Sequence, residues 1–176
     1  MPLIVEDGSR PEGANTYVTL AEVNAHAALT MHAAAWAAKT DPEKEAIIAT
    51  ACRTIDAGYD WEGFLVLATQ PMAWPRSRVF FRGVELTEEL DSNKVPHQVK
   101  RAASEYSVLL AVGGDRTGDQ DSDGLKSVKL GKGAVEVEFD KTAKRPILGN
   151  LIAPILKGLV KGAALGGKRQ IPIGQR

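Results

Sequence analysis

"QPMAWPRSRVFF", residues 70–81, is the densest run of large side chains in the chain. It sets Trp74, Phe80 and Phe81 among Pro71, Pro75 and three arginines, Arg76, Arg78 and Arg82. Aromatics beside guanidiniums suit a nucleic-acid surface, where bases stack and phosphates are neutralised. They equally suit an internal plug. Pro75 disfavours helical backbone at the residue before it, so Trp74 is expected to be extended. A stiff extended segment presenting one Trp fits the gap between packed helices. Single-strand binders spread several aromatics along a basic groove, whereas the chain around this stretch is acidic and would repel phosphate. The stretch is therefore expected to lock a helical core, with its arginines alternating outward along one edge.

The helices it would lock are written on either side. "TLAE" places Thr19 as N-cap with Glu22 three residues on, a reciprocal capping box, and opens a helix turning Leu20, Val23, Ala27 and Leu29 inward. A short Ala-rich turn holding Trp36 follows. "TDPE" opens a second helix, with Thr40 or Asp41 as cap and Pro42 in the first turn, where a missing N–H costs nothing. Its apolar positions Ile47, Ile48, Ala51, Cys52 and Ile55 recur at helical spacing, and Gly58 ends it. Residues 60–95 read as irregular. A third helix, from about Pro96 to Val112, buries Val99, Ala102, Ala103, Tyr106, Leu109 and Leu110 before Gly113 and Gly114 stop it. The first fourteen residues read as an extended arm.

Beyond the third helix the pattern changes. "KSVKL" and "AVEVEF", joined through Gly131-Lys132-Gly133, alternate as a β-hairpin with Val135, Val137 and Phe139 on one side. The loop before it, Asp119 to Gly124, matches the first half of a calcium loop. Leu130 stands where the bidentate acid belongs, and strand rather than helix follows, so a solvated loop is expected. Farther on, Leu148, Leu151, Ile152, Ile155, Leu156, Leu159 and Val160 have helical spacing, weakened by Pro154, Gly158 and Gly162. Three readings fit this segment: a membrane-surface helix using Lys157 and Lys161, a terminal core helix with a frayed tail, or an arm docking on a partner. The Gly and Pro content and the extended look of "IPIGQR" favour the arm.

Composition bounds the function classes. The 176 residues are 44% hydrophobic and 25% charged, the balance of a globular chain. No apolar run is long enough to span a bilayer, and the N-terminal residues lack the basic-then-apolar pattern of a secretory signal. Cys52 is the single cysteine, so no internal disulfide is possible, and its place on an apolar stripe suits a buried thiol. His26, His32 and His97 fit no zinc spacing. No phosphate-binding Gly loop, nucleophile elbow or carboxylate pair appears, and Asp56, Asp60 and Glu62 read as a solvated cluster. No cofactor, metal or catalytic residue is expected. The net charge of zero hides a split. Residues 1–140 hold 14 Lys+Arg against 22 Asp+Glu, whereas residues 141–176 hold 8 basic residues and no acid. A basic arm on an acidic body points to a negatively charged partner surface.

Taken in order, the blocks "ANTYVTLAEVNAHAA", Trp36, "DPEKEAIIATACRTIDAGYDWEG", "TQPMAWPR" and "VPHQVKRAASEYSVLL" resemble small tailed-phage head–tail connector proteins. These adaptor or head-completion proteins are often described as DnaT-like single-stranded-DNA-binding proteins. The resemblance covers residues 14–112 well and the later segments more loosely. It implies a mainly α fold: a small helical bundle with an inserted β-hairpin and an extended C-terminal arm. The corresponding divisions are a connector domain (1–112), an acidic loop with hairpin (113–140) and a basic arm (141–176). It implies a ring of about twelve copies under the portal protein, in the virion neck, contacting a tail-side neck or tail-terminator protein. Genomic DNA would pass through the lumen without sequence specificity, and no membrane is involved. Assembly would take place in the host cytoplasm. Tyr17, Trp36, Trp61, Gly63, Trp74, Pro75, Arg76 and Pro96 match framework positions of the family, not catalytic ones. The arm would make its contacts through Leu151, Ile152, Ile155, Leu156, Lys157, Leu159, Lys161, Lys168, Arg169 and Arg176. The long basic segment beyond Leu159 departs from the commoner pattern. The competing function is that of a replication-associated single-strand binder.

Overall fold

The computed structural model describes residues 2–80, 89–113, 125–131, 134–139 and 151–161, the two stretches between 125 and 139 by backbone alone. Capping decides where the first helices begin. Helix α1 (Leu20–Ala27) starts at Thr19, whose hydroxyl accepts from Glu22 N at 3.1 Å while the Glu22 carboxylate accepts from Thr19 N at 2.6 Å. A one-turn helix, α2 (Ala33–Ala37), delivers Trp36 to the core, its indole N–H donating to Asn24 Oδ1 at 2.7 Å. Thr40 and Glu43 form the second reciprocal box, opening α3 (Asp41–Gly58) with Pro42 in its first turn. Helix α4 (His97–Gly113) begins against the Pro96 carbonyl, which accepts from the amides of Val99 and Lys100.

These helices form a small bundle. Val23 and Ala27 of α1, Ile48, Ala51, Cys52 and Ile55 of α3, and Val99, Ala102, Ala103 and Tyr106 of α4 share one core. A His26–Glu105 hydrogen bond at 2.7 Å and a Lys100–Glu22 ion pair at 3.6 Å tie α1 to α4 at its edge. Some expected inward residues behave otherwise. Leu29 lies beyond the end of α1 and is 90% exposed, and on α4 Val108 and Ala111 are buried while Leu109 and Leu110 are only partly so. The expected inward residues Val99, Ala102, Ala103 and Tyr106 are buried, and the buried face of α4 also takes in small Ser104 and Ser107.

The stretch read as irregular contains a minimal ribbon, β1 (Phe64–Leu65) and β2 (Arg76–Ser77), antiparallel with Phe64 opposite Ser77. Farther along, β3 (Leu125–Gly131) and β4 (Ala134–Phe139) form the antiparallel hairpin, with Gly131 opposite Ala134. The fold is thus mainly helical with a small hairpin. The N-terminal residues are not a free arm: Glu6 N donates to Thr16 O at 2.7 Å, and the buried Glu6 carboxylate accepts from the amides of Gly8 and Arg10. Gly8, at φ +113°, lies where a Cβ would meet Asn93 O at 1.8 Å, so only glycine allows this loop to sit on the turn before α4.

The largest correction concerns the C-terminal segment. A short helix, α5 (Ile152–Ile155), and the turn after it place Ile152, Leu156, Leu159 and Val160 in the same core as the bundle. Val160 bridges Trp61, Glu62 N donates to Leu159 O at 2.9 Å, and Lys161 N donates to Asp60 O at 2.6 Å. Pro154 and Gly158 do not spoil a helix here. They end it early, and Gly158 at φ +93° turns the chain back onto residues 60–62. Ile152, Leu156 and Leu159 are therefore occupied inside the subunit rather than offered to a partner. Leu151, at 58% exposure, Lys157 and Lys161 face solvent, and Ile155 is partly covered. Lys168, Arg169 and Arg176 and the Asp119–Gly124 loop lie outside the described residues. No helix among the described residues is long and apolar enough to cross a membrane.

Candidate functional site

The candidate site is the Trp-Pro-Arg junction, where residues 59–80 close over the end of α3. Trp74 is fully buried and stands edge-on to Trp61, ring centroids 5.6 Å apart and planes at 87°. Tyr59 packs against the other side of Trp61 at 5.9 Å. Such aromatic contacts add about 0.5–1.5 kcal/mol each beyond the area they bury. The Trp74–Pro75 peptide is cis.

A polar chain runs beneath the rings. Trp74 N donates to the Tyr17 hydroxyl at 3.2 Å, and that hydroxyl donates to Asp56 Oδ1. Asp56 Oδ2 accepts from Ala73 N at 3.0 Å, so one carboxylate from α3 holds both Tyr17 and the loop. Burial pushes the Asp56 carboxyl up to about 6, against the pull of its Tyr17 and Ala73 hydrogen bonds and of Arg76. Burial, with the Asp56 charge beside it, also drives the Tyr17 hydroxyl well above its ordinary value. One carboxylate thus staples α3, Tyr17 and the loop together.

Arg76 does not point outward. Its guanidinium donates to three carbonyls, Glu62 O at 2.7 Å, Gly63 O at 2.9 Å and Ala73 O at 3.2 Å. Gly63, at φ +70°, is required there, since a Cβ would stand 2.3 Å from Ser77 O. Gln70 works the same way from the loop's other end: its Oε1 accepts from Val66 and Leu67 amides, and its Nε2 donates to Met72 O and Pro75 O. Asp56 and Gln70 were not singled out as framework residues from sequence. Their partners are distant or backbone, and no local spacing announces either.

The framework positions fall in three places. Tyr17, Trp61, Gly63, Trp74, Pro75 and Arg76 meet in this junction, Trp36 lies apart beside α1, and Pro96 starts α4. The Cys52 thiol is buried against Thr16 and pushed up to about 11 by that burial. Among the described residues no three His, Cys, Asp or Glu side chains converge as metal ligands.

Several apolar side chains among the described residues stand outside the core. Leu29 and Met31, at 90% and 89% exposure, crown the turn between α1 and α2. Phe64, at 63% exposure, and Phe80, at 49%, flank the β1–β2 ribbon, with the Arg78 guanidinium 5.9 Å from the Phe64 ring. Comparison with known families matches residues 1–171 to the family model described as "Putative DnaT-like ssDNA binding protein". Comparison with curated proteins and with solved structures finds no match.

Proposed function

The chain belongs to the DnaT-like ssDNA binding protein family, and from that premise we propose that it serves as a structural virion subunit, a head–tail connector. The observation that carries this reading is the interior use of the Trp-Pro-Arg junction. Trp61 and Trp74, which a strand-reading surface would display, are buried, and the Arg76 guanidinium is committed to three carbonyls. What the subunit does display is apolar: Leu29 with Met31, and Phe64 with Phe80. Isolated apolar side chains are ordinary on a surface, whereas clustered ones suit contacts between subunits. In this reading copies close into a ring beneath the portal protein and offer a platform to a tail-side neck protein. DNA passes through the lumen, and the excess of acid in residues 1–140 keeps it from sticking. The subunit is not an enzyme, needs no cofactor, and resides at the head–tail interface of the virion.

A second reading, single-strand binding in replication, is favoured by the family's description and by one local feature. Phe64, Arg78 and Phe80 form an exposed aromatic and cationic group of the kind that stacks bases. Glu89 counts against it, since its carboxylate accepts from Arg78 N at 2.6 Å beside this group. Electron microscopy of the purified protein, paired with single-strand titrations at physiological salt, separates the two. Rings with weak, salt-sensitive DNA binding are expected. Submicromolar single-strand affinity, lost in Phe64→Ala and accompanied by no ring, would establish the replication reading instead.

A further inference from the structure

Among the described residues, one face of α3 is left uncovered. Ala46, Ala49 and Ala57 follow one another along it at helical spacing, and Pro71 and Met72 stand opposite as a second wall. The groove between them has a volume of about 660 Å³. Alanines on one wall leave room that larger side chains would have filled. Three ionisable groups line it: Glu45, Arg53 and Asp56. The last of these is the carboxylate of the junction.

The course of the chain supplies an occupant. At Lys161 the backbone amide is bonded to Asp60 O at 2.6 Å, and the ammonium lies 3.4 Å from Asp60 Oδ1. Asp60 follows Ala57, the end of the groove, by three residues. Lys161, the last described residue of this segment, is thus held three residues beyond Ala57, the groove residue nearest the end of α3. The 18 residues of α3 extend about 27 Å, and residues 162–176 reach about 50 Å when extended. Their first six, GAALGG, are small except for one Leu, and the next nine, KRQIPIGQR, are basic and apolar by turns. Ile171, Pro172 and Ile173 match a wall of alanines and Met72. Lys168 and Arg169 are opposite in charge to Glu45, with Arg53 the like charge that sets register.

We propose that residues 162–176 dock along the α3 groove of their own chain. Tethering at Lys161 raises the local concentration of the segment to the millimolar range, so a contact too weak to hold a free peptide suffices. The docked segment covers the small-residue face of α3 and sets cations beside Glu45. This holds whether the protein is a connector or a strand binder.

Full-length protein carrying Ala49→Cys with Ile171→Cys tests it, because buried Cys52 does not compete for oxidation. Mild oxidation should give a disulfide within one chain, seen as a faster-migrating monomer on a non-reducing gel. Cross-linked dimers or ladders would mean that the groove takes another copy's segment, and would overturn same-chain docking. So would cross-linking no greater than in an Ala34→Cys, Ile171→Cys control placed on exposed α2. A variant without new cysteines supplies an independent reading. Ala46→Arg, at an exposed position, should leave the helical content unchanged and speed tryptic cleavage after Arg169 several-fold. Unchanged cleavage overturns the proposal.

Discussion

The turn between α1 and α2 and the junction from Tyr59 to Phe80 are both connections outside long helices, yet they treat apolar side chains in opposite ways. In the turn, Leu29 and Met31 stand almost fully in solvent. In the junction, Trp61, Met72, Trp74 and Val79 are buried. The difference lies in what happens to the backbone. A loop can be driven into a core only if its carbonyls and amides find partners there. Arg76, Gln70 and Asp56 supply those partners in the junction, through hydrogen bonds to residues 62, 63, 66, 67, 72, 73 and 75. The turn has only local bonds of its own, such as Thr30 Oγ1 to Ala27 O at 2.9 Å. Apolar residues there stay outside, available for contact and not needed for folding.

The comparison breaks first at Trp74. Trp74→Ala should cost about 3–5 kcal/mol, the usual penalty for emptying a buried Trp site, and leave little folded protein at moderate temperature in a thermal melt. Arg76→Ala should cost about 2 kcal/mol, because three carbonyls lose their charged donor. If Arg76→Ala proved harmless, the backbone-partner explanation would fail even with Trp74 essential.

Asp56 sharpens the same point through pH. Its carboxyl is raised from 3.8 to about 6 in the folded protein, so the folded state holds the proton more tightly than the unfolded chain does. Its contribution to stability is greatest below about pH 3.8 and is lost as pH rises to about 6. Wild-type stability should therefore decline relative to Asp56→Asn across this window, by roughly 2 kcal/mol. Denaturant titrations at pH 4, 5, 6 and 7 measure the difference. Parallel profiles for the two proteins would show that the carboxylate is not held in a dry site.

The smallest expected effect on stability belongs to the turn. Leu29→Ser combined with Met31→Ser should change unfolding free energy by less than about 0.5 kcal/mol, while shifting any oligomer toward monomer in size-exclusion chromatography. A melting temperature lowered as far as in Trp74→Ala would erase the contrast between the two connections.

Much of the bundle was legible in sequence because its signals are local. The capping pairs Thr19–Glu22 and Thr40–Glu43 are three residues apart, and the buried positions of α3 recur within single turns. The burial of Trp74 was legible too, from the prolines around it and the acid of the chain at large. The carboxylate under it was not. Asp56 looked like one of three surface acids, and only the approach of Tyr17, 39 residues earlier, and Ala73, 17 later, makes it a staple. Arg76 was misjudged for a related reason: alternation along a strand predicts direction only where the strand is regular, and β2 has two residues. Residues 152–160 were assigned to an arm because Pro154 and Gly158 weaken a helix. A four-residue helix and a bridge to Trp61 bury the same side chains without needing a longer one.

Cys52 carries a practical consequence. Its thiol is wholly enclosed between Thr16 and the core of α3, and it ionises only near 11. At neutral pH an alkylating reagent meets neither an accessible sulfur nor a thiolate in the native chain. Modification must wait for the bundle to open, so when reclosing is faster than reaction, the labelling rate measures the fraction of molecules open at that moment. The chain thus contains a single-site clock for its own unfolding, readable by mass, without denaturant and at any degree of assembly.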